Sequence, residues 1–419
     1  MLKGVLVVID GMGDLPHKLL GNQTPLDVAE IPNMDFFAAR GEMGYMYTVR
    51  PNFVPESDEA IVSMFGNELI SSTRGQLEAR GTDISLTRGD LALRANFATI
   101  KNCEKGEILD RRVGRTLTTE EAEELADAIM EKVDLPVKFE FQPTVQHRAA
   151  LVFKGGFSDN ISGNDATYIE GKSREMKKAS LVKPLDEDDE NARYTSNVVN
   201  EFLKQACEIL DSHPINLERK KKGLMPANYL LIRGPGIEPP KLKQYKNWVG
   251  ISYMPLEIGF VKASGMKLYS FGYPRLKKLD AYDNLYAGLR RACKYAIKGL
   301  KKNRKTSEYI YIHLKETDVP GHDNKPLEKK QMLELIDKIL FKYLRKVAPK
   351  NQFKVVVTAD HSTPCRMKDH SSDPVPVLFY DPKKEIIPKE KHFSESEARK
   401  GSLKRMLGKD LLKKVGFVK

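Results

Sequence analysis

Residues 309–361 read YIYIHLKETDVPGHDNKPLEKKQMLELIDKILFKYLRKVAPKNQFKVVVTADH, and the fold is decided by them. Tyr309 to Leu314 and Val355 to Thr358 are short runs rich in β-branched and aromatic residues, apolar on both faces. Such runs suit parallel strands covered by helices on both sides. Between them Met332, Leu335, Ile336, Ile339, Leu340, Tyr343, Leu344 and Val347 recur at three- and four-residue steps, which predicts a helix over 327–347. Strand, helix, strand at this spacing reads as a right-handed crossover unit, so the fold class is α/β. Val5 to Ile9, Ala149 to Phe153, Tyr229 to Ile232 and Val375 to Tyr380 add further strands.

The middle of the chain has a different texture. Residues 158–195 are rich in Asp, Asn, Ser, Gly and Lys, with an acidic run from Asp186 to Glu190, and predict loops. A helix follows at about 195–211, and LERKKKGLMP (217–226) reads as an exposed connection. At 419 residues the chain exceeds one hydrophobic core and predicts two domains.

Composition excludes several function classes. Hydrophobic residues make up 41% and charged residues 30%, the balance of a soluble globular protein. The net charge of +12 comes from scattered Lys and Arg, densest at 220–222 and 301–305. A basic surface that attracts small anions fits this scatter; nucleic acid and membrane partners do not. Cys103, Cys207, Cys293 and Cys365 are far apart with no C-x-x-C pair, which argues against a zinc ribbon or a disulfide framework and for a reducing compartment. The opening MLKGVLVVIDGMGD has about five apolar residues before an acid, a buried strand in place of a signal peptide. A cytoplasmic location is expected. An oligomer is compatible with the sequence but not readable from it.

Three strands run into acids. Val5–Ile9 leads to Asp10 and Gly11, Tyr309–Leu314 to Lys315-Glu316-Thr317-Asp318, and Val355–Ala359 to Asp360 and His361. In an open parallel sheet the carboxyl ends of the strands form the ligand crevice. One acid there is commonly a helix cap; three, two of them with histidine partners, point to a shared site. His322 follows Asp318 by four residues, His361 follows Asp360 directly, and His370 comes nine residues later. Imidazole with carboxylate suits divalent ions such as manganese, zinc or magnesium. Two such ions a few ångströms apart can clamp the attacking and leaving oxygens of a phosphoryl group. A nucleophile candidate is Ser57 in Val54-Pro55-Glu56-Ser57-Asp58-Glu59-Ala60, where a proline turn enters an amphipathic segment. Free backbone N–H groups at a helix start favour phosphate, although Ser there is also an ordinary cap. A hydroxyl beside such ions can lose its proton near neutral pH without a histidine base.

With these residues in view the chain resembles the archaeal-type cofactor-independent (2,3-bisphosphoglycerate-independent) phosphoglycerate mutases of the alkaline phosphatase superfamily. The blocks that carry the resemblance run nearly end to end: VLVVIDGMGD, QTPLDVAEIPNMD, PESDEAIVSMFG, RGQLEARGTDISLTRGDLALRANFAT, DRRVGR, QHRAALVFKGG, ANYLLIRGPG, HLKETDVPGHD and TADHSTPCRMKDHSSDPVP. The opening DG and the last two blocks are specific together; DRRVGR alone is weak. The resemblance implies an alkaline-phosphatase-like parallel-sheet metal-binding domain, residues 1–72 and 246–419, interrupted by a smaller inserted α/β domain at 73–245 that binds substrate.

It implies one ion held by Asp318, His322 and His370, and a second held by Asp10, Ser57, Asp360 and His361. The ions would be manganese first, with zinc, cobalt or magnesium as alternatives, and no 2,3-bisphosphoglycerate is needed. Ser57 would attack 3-phosphoglycerate, and the phosphoserine would return the phosphate to the 2-oxygen of trapped glycerate. Arg94, Arg111, Arg112, Arg115, His147 and Arg148 fall in matching blocks and would bind the substrate's carboxylate and phosphate. The family uses a lysine near the nucleophile, for which Lys267 is the match by position. Departures are Glu56, where the family usually has Gly; Ser162-Gly163-Asn164-Asp165-Ala166-Thr167, where relatives commonly read SDTDPH; and residues 267–272, where relatives often read GATG. These leave open a phosphatase or phosphomutase acting on another small phosphorylated metabolite, and, from another class, a non-catalytic anion-binding scaffold.

Overall fold

The computed structural model describes residues 1–69, 74–104, 106–165, 168–169, 172–173, 178–276, 280–384 and 389–418. The expected domain boundary at 72/73 and the residues Ala166 and Thr167 lie outside that set.

The larger sheet has eight strands in the order Lys267–Tyr269, Trp248–Ile251, Tyr309–Leu314, Gly4–Ile9, Lys354–Thr358, Val375–Tyr380, Glu42–Tyr47, Lys404–Leu407. Gly4–Ile9 is central and fully buried, parallel to Tyr309–Leu314 on one side and Lys354–Thr358 on the other. The chain crosses over it through the helix that the periodicity marks. That helix begins at Pro326, and a π turn at Asp337–Phe341 interrupts it before Lys342–Val347. The Asp337 carboxylate in this turn accepts from the N–H groups of Asn33 and Met34 (3.1 and 2.7 Å), capping the helix Pro32–Ala38.

Val375–Tyr380 breaks the parallel pattern, pairing antiparallel with both its neighbours. Ala149–Phe153 and Tyr229–Ile232 depart further, because they belong to a second, antiparallel sheet. There Leu91–Ile100 pairs with Ile108–Asp110, Arg148–Phe153 and Tyr229–Gly236, and Phe139–Pro143 pairs with Arg148–Phe153. Their two apolar faces have a different cause from parallel pairing. One face packs Leu93, Ala95, Phe97 and Leu151 against Leu125, Ile129 and Phe202 of the helices Thr119–Lys132 and Glu190–Asp211. The other puts Ala92, Ala150 and Val152 against Ala79 of the helix Arg74–Arg80. That helix in turn lies on Pro255–Ala263 so closely that a Cβ on Gly259 would stand 1.9 Å from the Leu77 carbonyl oxygen. The two sheets therefore have separate cores joined by a tight helix pair.

Two local readings are corrected. The helix expected from about 195 starts at Glu190, where Asp189 accepts from the Ala192 N–H (2.9 Å). The expected connection at 217–226 begins inside the helix Pro214–Lys221, which Pro214 at its first position and the His213 side-chain cap initiate. The expectation of no disulfide also fails: Cys103 and Cys207 are bonded across 104 residues, with Cα atoms 6.1 Å apart. Spacing along the chain carries no signal for a pair that only the packing of the long helix on the antiparallel sheet brings together. Among the described residues no helix is long and apolar enough to cross a membrane.

Candidate metal centre and active site

Asp10 follows the central strand directly, and Asp360 stands two residues past its neighbour Lys354–Thr358. Asp318 opens the short helix Asp318–His322, so His322 returns to the same face one turn later. The turn at Gly11 joins these groups: its N–H donates to Asp360 Oδ1 (3.1 Å). At φ +58°, with Asp318 Oδ1 only 2.8 Å from where a Cβ would lie, the position requires glycine.

The seven expected metal positions come together. Asp10 Oδ1 and Asp360 Oδ2 lie 3.3 and 3.4 Å from His361 Nε2, and Ser57 Oγ is 3.3 Å from the same nitrogen. Asp318 lies 3.3 Å from His322 Nε2 and 3.6 Å from His370 Nε2. Two compact ligand groups result, Asp10/Asp360/His361 and Asp318/His361/His370. The donor chemistry fits divalent cations. Each histidine engages Nδ1 elsewhere, His322 with the Lys368 carbonyl, His370 with the Pro55 carbonyl and His361 with Thr363 Oγ1, all at 3.0 Å. That leaves every Nε2 facing the acids, the arrangement of metal-bound imidazoles. Among the described residues Asp10 Oδ1 and Asp360 Oδ2 are buried with no hydrogen-bond partner, an arrangement that stays costly unless a cation further to Lys315 compensates both acids. Burial and the nearby His370 push the His361 imidazole down to about 3, which keeps it neutral and able to donate a lone pair.

The scaffold behind these groups is rigid. Lys329, fully buried, donates to Asp14 Oδ2 (2.8 Å) and to the carbonyls of Gly13 (3.1 Å) and Thr363 (3.0 Å), tying together the loops that carry Asp10 and His361. Ser57 is the first residue of the helix Ser57–Met64. Phe65 anchors the far end of that helix, its ring 5.0–5.5 Å from those of Tyr245, Trp248, Phe260 and Tyr311.

Two residues of this centre escape the sequence reading. Lys267 stands exposed on the edge strand of the large sheet, away from the acids. The lysine beside Ser57 is Lys315, whose Nζ donates to Ser57 Oγ (3.2 Å) and pairs with Asp10 and with Glu257 (2.9 Å). The signal was strand register: Ile9 pairs with Leu314, so Asp10 and Lys315 emerge side by side. His313, buried on the same strand, approaches Asp360 to 3.5 Å.

The second sheet and its loops face this centre with cations. Arg115 pairs with Asp323 (3.0 Å), one residue past His322. Arg233 pairs with Glu56 (2.8 Å), beside Ser57. Arg94 pairs with Glu78 (3.4 Å) and Arg111 with Asp165. Arg112 and Arg148 have no carboxylate within ion-pair distance among the described residues, and burial lowers both guanidinium pKa values. Burial likewise pushes buried His147 well below its ordinary range. Glu56, the awkward departure beside Ser57, is an internal counterion. Burial alone would raise its carboxyl, but Arg233 and Arg74 hold it well below the carboxylate range.

The chain is similar to known proteins along nearly its whole length. Residues 38–216 match the 2,3-bisphosphoglycerate-independent phosphoglycerate mutase family, and residues 287–416 match the Metalloenzyme superfamily. A 2,3-bisphosphoglycerate-independent phosphoglycerate mutase from Pyrococcus furiosus is 38% identical over 417 residues, which cover 98% of this chain and 95% of that protein. A solved protein from Pyrococcus horikoshii is 28% identical with a TM-score of 0.73, covering 100% of this chain and 99% of that one. The cofactor-independent phosphoglycerate mutase from Thermoplasma acidophilum is 28% identical with a TM-score of 0.55, covering 98% of each chain. The chain belongs to the 2,3-bisphosphoglycerate-independent phosphoglycerate mutase family.

Proposed function

We propose that this protein interconverts 3-phosphoglycerate and 2-phosphoglycerate through a phosphoserine at Ser57, with two divalent ions and no 2,3-bisphosphoglycerate. Asp318, His322 and His370 would hold one ion, and Asp10, Ser57, Asp360 and His361 the other, with manganese the first choice. The observation that carries the reading is the convergence of all seven groups at one sheet edge, with every histidine Nε2 turned inward.

Bound ions neutralise phosphoryl oxygens and lower the pKa of an adjacent hydroxyl. The chain's own residues do the rest. Ser57 Oγ attacks phosphorus, the phosphate–glycerate bond breaks, and glycerate leaves with the electron pair on its 3-oxygen. The N–H groups of Ser57 and Asp58 at the start of Ser57–Met64 would receive the phosphate, the Glu59 N–H being capped by the Glu56 side chain. Lys315, donating to Ser57 Oγ, offsets charge on the transferring group. Arg112 and Arg148, which have no carboxylate partner among the described residues, grip the substrate carboxylate, with Arg94, Arg111, Arg115 and His147 around them. The Arg115–Asp323 and Arg233–Glu56 pairs close the inserted part, about residues 73–245, over the centre and limit water. Glycerate then turns: its 3-oxygen takes up a proton, its 2-hydroxyl gives one up as that oxygen attacks phosphorus, and the P–Oγ bond breaks with its electron pair returning to Ser57.

Purified protein with manganese and 3-phosphoglycerate, coupled to enolase, is expected to give 2-phosphoglycerate without free phosphate. Steady phosphate release with no 2-phosphoglycerate would replace the mutase with a metal-dependent phosphatase.

A further inference from the structure

Glu257 has no part in the mechanism above, yet its placement is unusual. It lies in the first turn of the helix Pro255–Ala263, is 1% exposed, and its Oε2 has no hydrogen-bond partner. A buried carboxylate is costly unless a cation compensates it. Among the described residues the only cation within ion-pair distance is Lys315, at 2.9 Å. The other acids around that ammonium are Asp10 and, at 4.0 Å, Asp360. Both of these belong to the candidate metal ligands. A divalent ion and the Lys315 ammonium therefore draw on the same two carboxylates, and Glu257 is the acid outside the contest.

We propose that Glu257 is a positioning residue that holds the Lys315 ammonium beside Ser57 and releases Asp10 and Asp360 to the ion; this rests on the two-ion reading of the site. Glu257 sets where Lys315 stands when the centre is loaded, and touches neither substrate nor ion. Without it the ammonium has only the metal's own ligands to pair with.

The test is a manganese titration by calorimetry on the wild-type chain, Glu257→Gln, Lys315→Met and the double variant. Glu257→Gln is expected to weaken one of two ions by roughly 10- to 100-fold, the range seen when partners behind metal ligands are lost. Adding Lys315→Met should restore that affinity, because the competing ammonium is gone. A side chain needed only for packing gives no such rescue. In the mutase assay Glu257→Gln should lower kcat and leave KM within about twofold, as a loss felt in the transition state does. Should Glu257→Gln not fold, Glu257→Asp, which keeps the charge and shortens the reach, is expected to weaken the same ion less. Wild-type affinity in Glu257→Gln, or weakening that Lys315→Met does not rescue, overturns the proposal. If the wild-type chain forms no 2-phosphoglycerate while the double variant still regains ion affinity, the mutase reading is defeated and the role of Glu257 stands.

Discussion

The two walls of the cleft are built on opposite plans. The edge of the large sheet presents acids, each at or within four residues of a strand end: Asp360 accepts from the backbone N–H groups of Gly11 and His361, Asp318 from Thr363 Oγ1, and Asp10 pairs with Lys315. The second sheet presents arginines on long side chains from an antiparallel strand and its loops, most of them already balanced by Glu56, Glu78, Asp165 or Asp323. Where charge must sit within a fraction of an ångström, short side chains on strand ends supply it. Where an anion must enter, turn and leave, long side chains supply it, and internal counterions decide which of them remain available.

Ser57→Ala should reduce mutase kcat by at least about 10⁴-fold, given that removing a serine nucleophile elsewhere costs about 10⁶, while calorimetry still finds the ion at Asp318, His322 and His370. Lys329→Met leaves Asp14 buried without its cation and should cost about 3–5 kcal/mol in denaturant unfolding. Reducing the Cys103–Cys207 bond, which closes a separation of 104 residues, should destabilise the second sheet by about 2–4 kcal/mol, read as earlier hydrogen exchange there than in the large sheet. Arg112→Gln and Arg148→Gln should each raise KM by about 10- to 100-fold, equivalent to the ~1.5–3 kcal/mol of a hydrogen bond to a charged group. The paired Arg94 and Arg111 should matter less when replaced in the same way, and equal losses would remove the distinction.

The smallest effect concerns Glu395, which holds the acidic wall from behind by accepting from the Asp14 N–H (3.1 Å) and Thr24 Oγ1 (2.7 Å). Burial pushes its carboxyl up to about 7, from an ordinary 4.5. A folded-state value above the unfolded one means that protonation favours folding. This contribution is fully present below pH 4.5, is lost as pH rises through 7, and is level above that. Glu395→Gln should flatten the decline, raising stability at pH 8 relative to pH 5 by about 1–2 kcal/mol.

The legibility of the sequence follows the same division. Asp10 and Asp360 are legible because each follows an apolar strand within two residues, Asp318 because His322 returns one helical turn later, and the crossover helix because its apolar stripe faces one core. Lys315 was hidden by its neighbours: only the register of two strands far apart in sequence sets it beside Asp10. Glu257 looks like an ordinary acid in the first turn of a helix until its burial is known. The double apolar faces of Ala149–Phe153 looked parallel because periodicity reports that both sides are covered, not what covers them. The role of Glu56 depends on Arg233, 177 residues away.

The most direct test is anomalous diffraction from crystals soaked in manganese. Two ions are expected, one among Asp318, His322 and His370 and one among Asp10, Ser57, Asp360 and His361, with Lys315 Nζ on the Glu257 side of Ser57. A single ion, or ions bound away from these seven residues, would contradict the account.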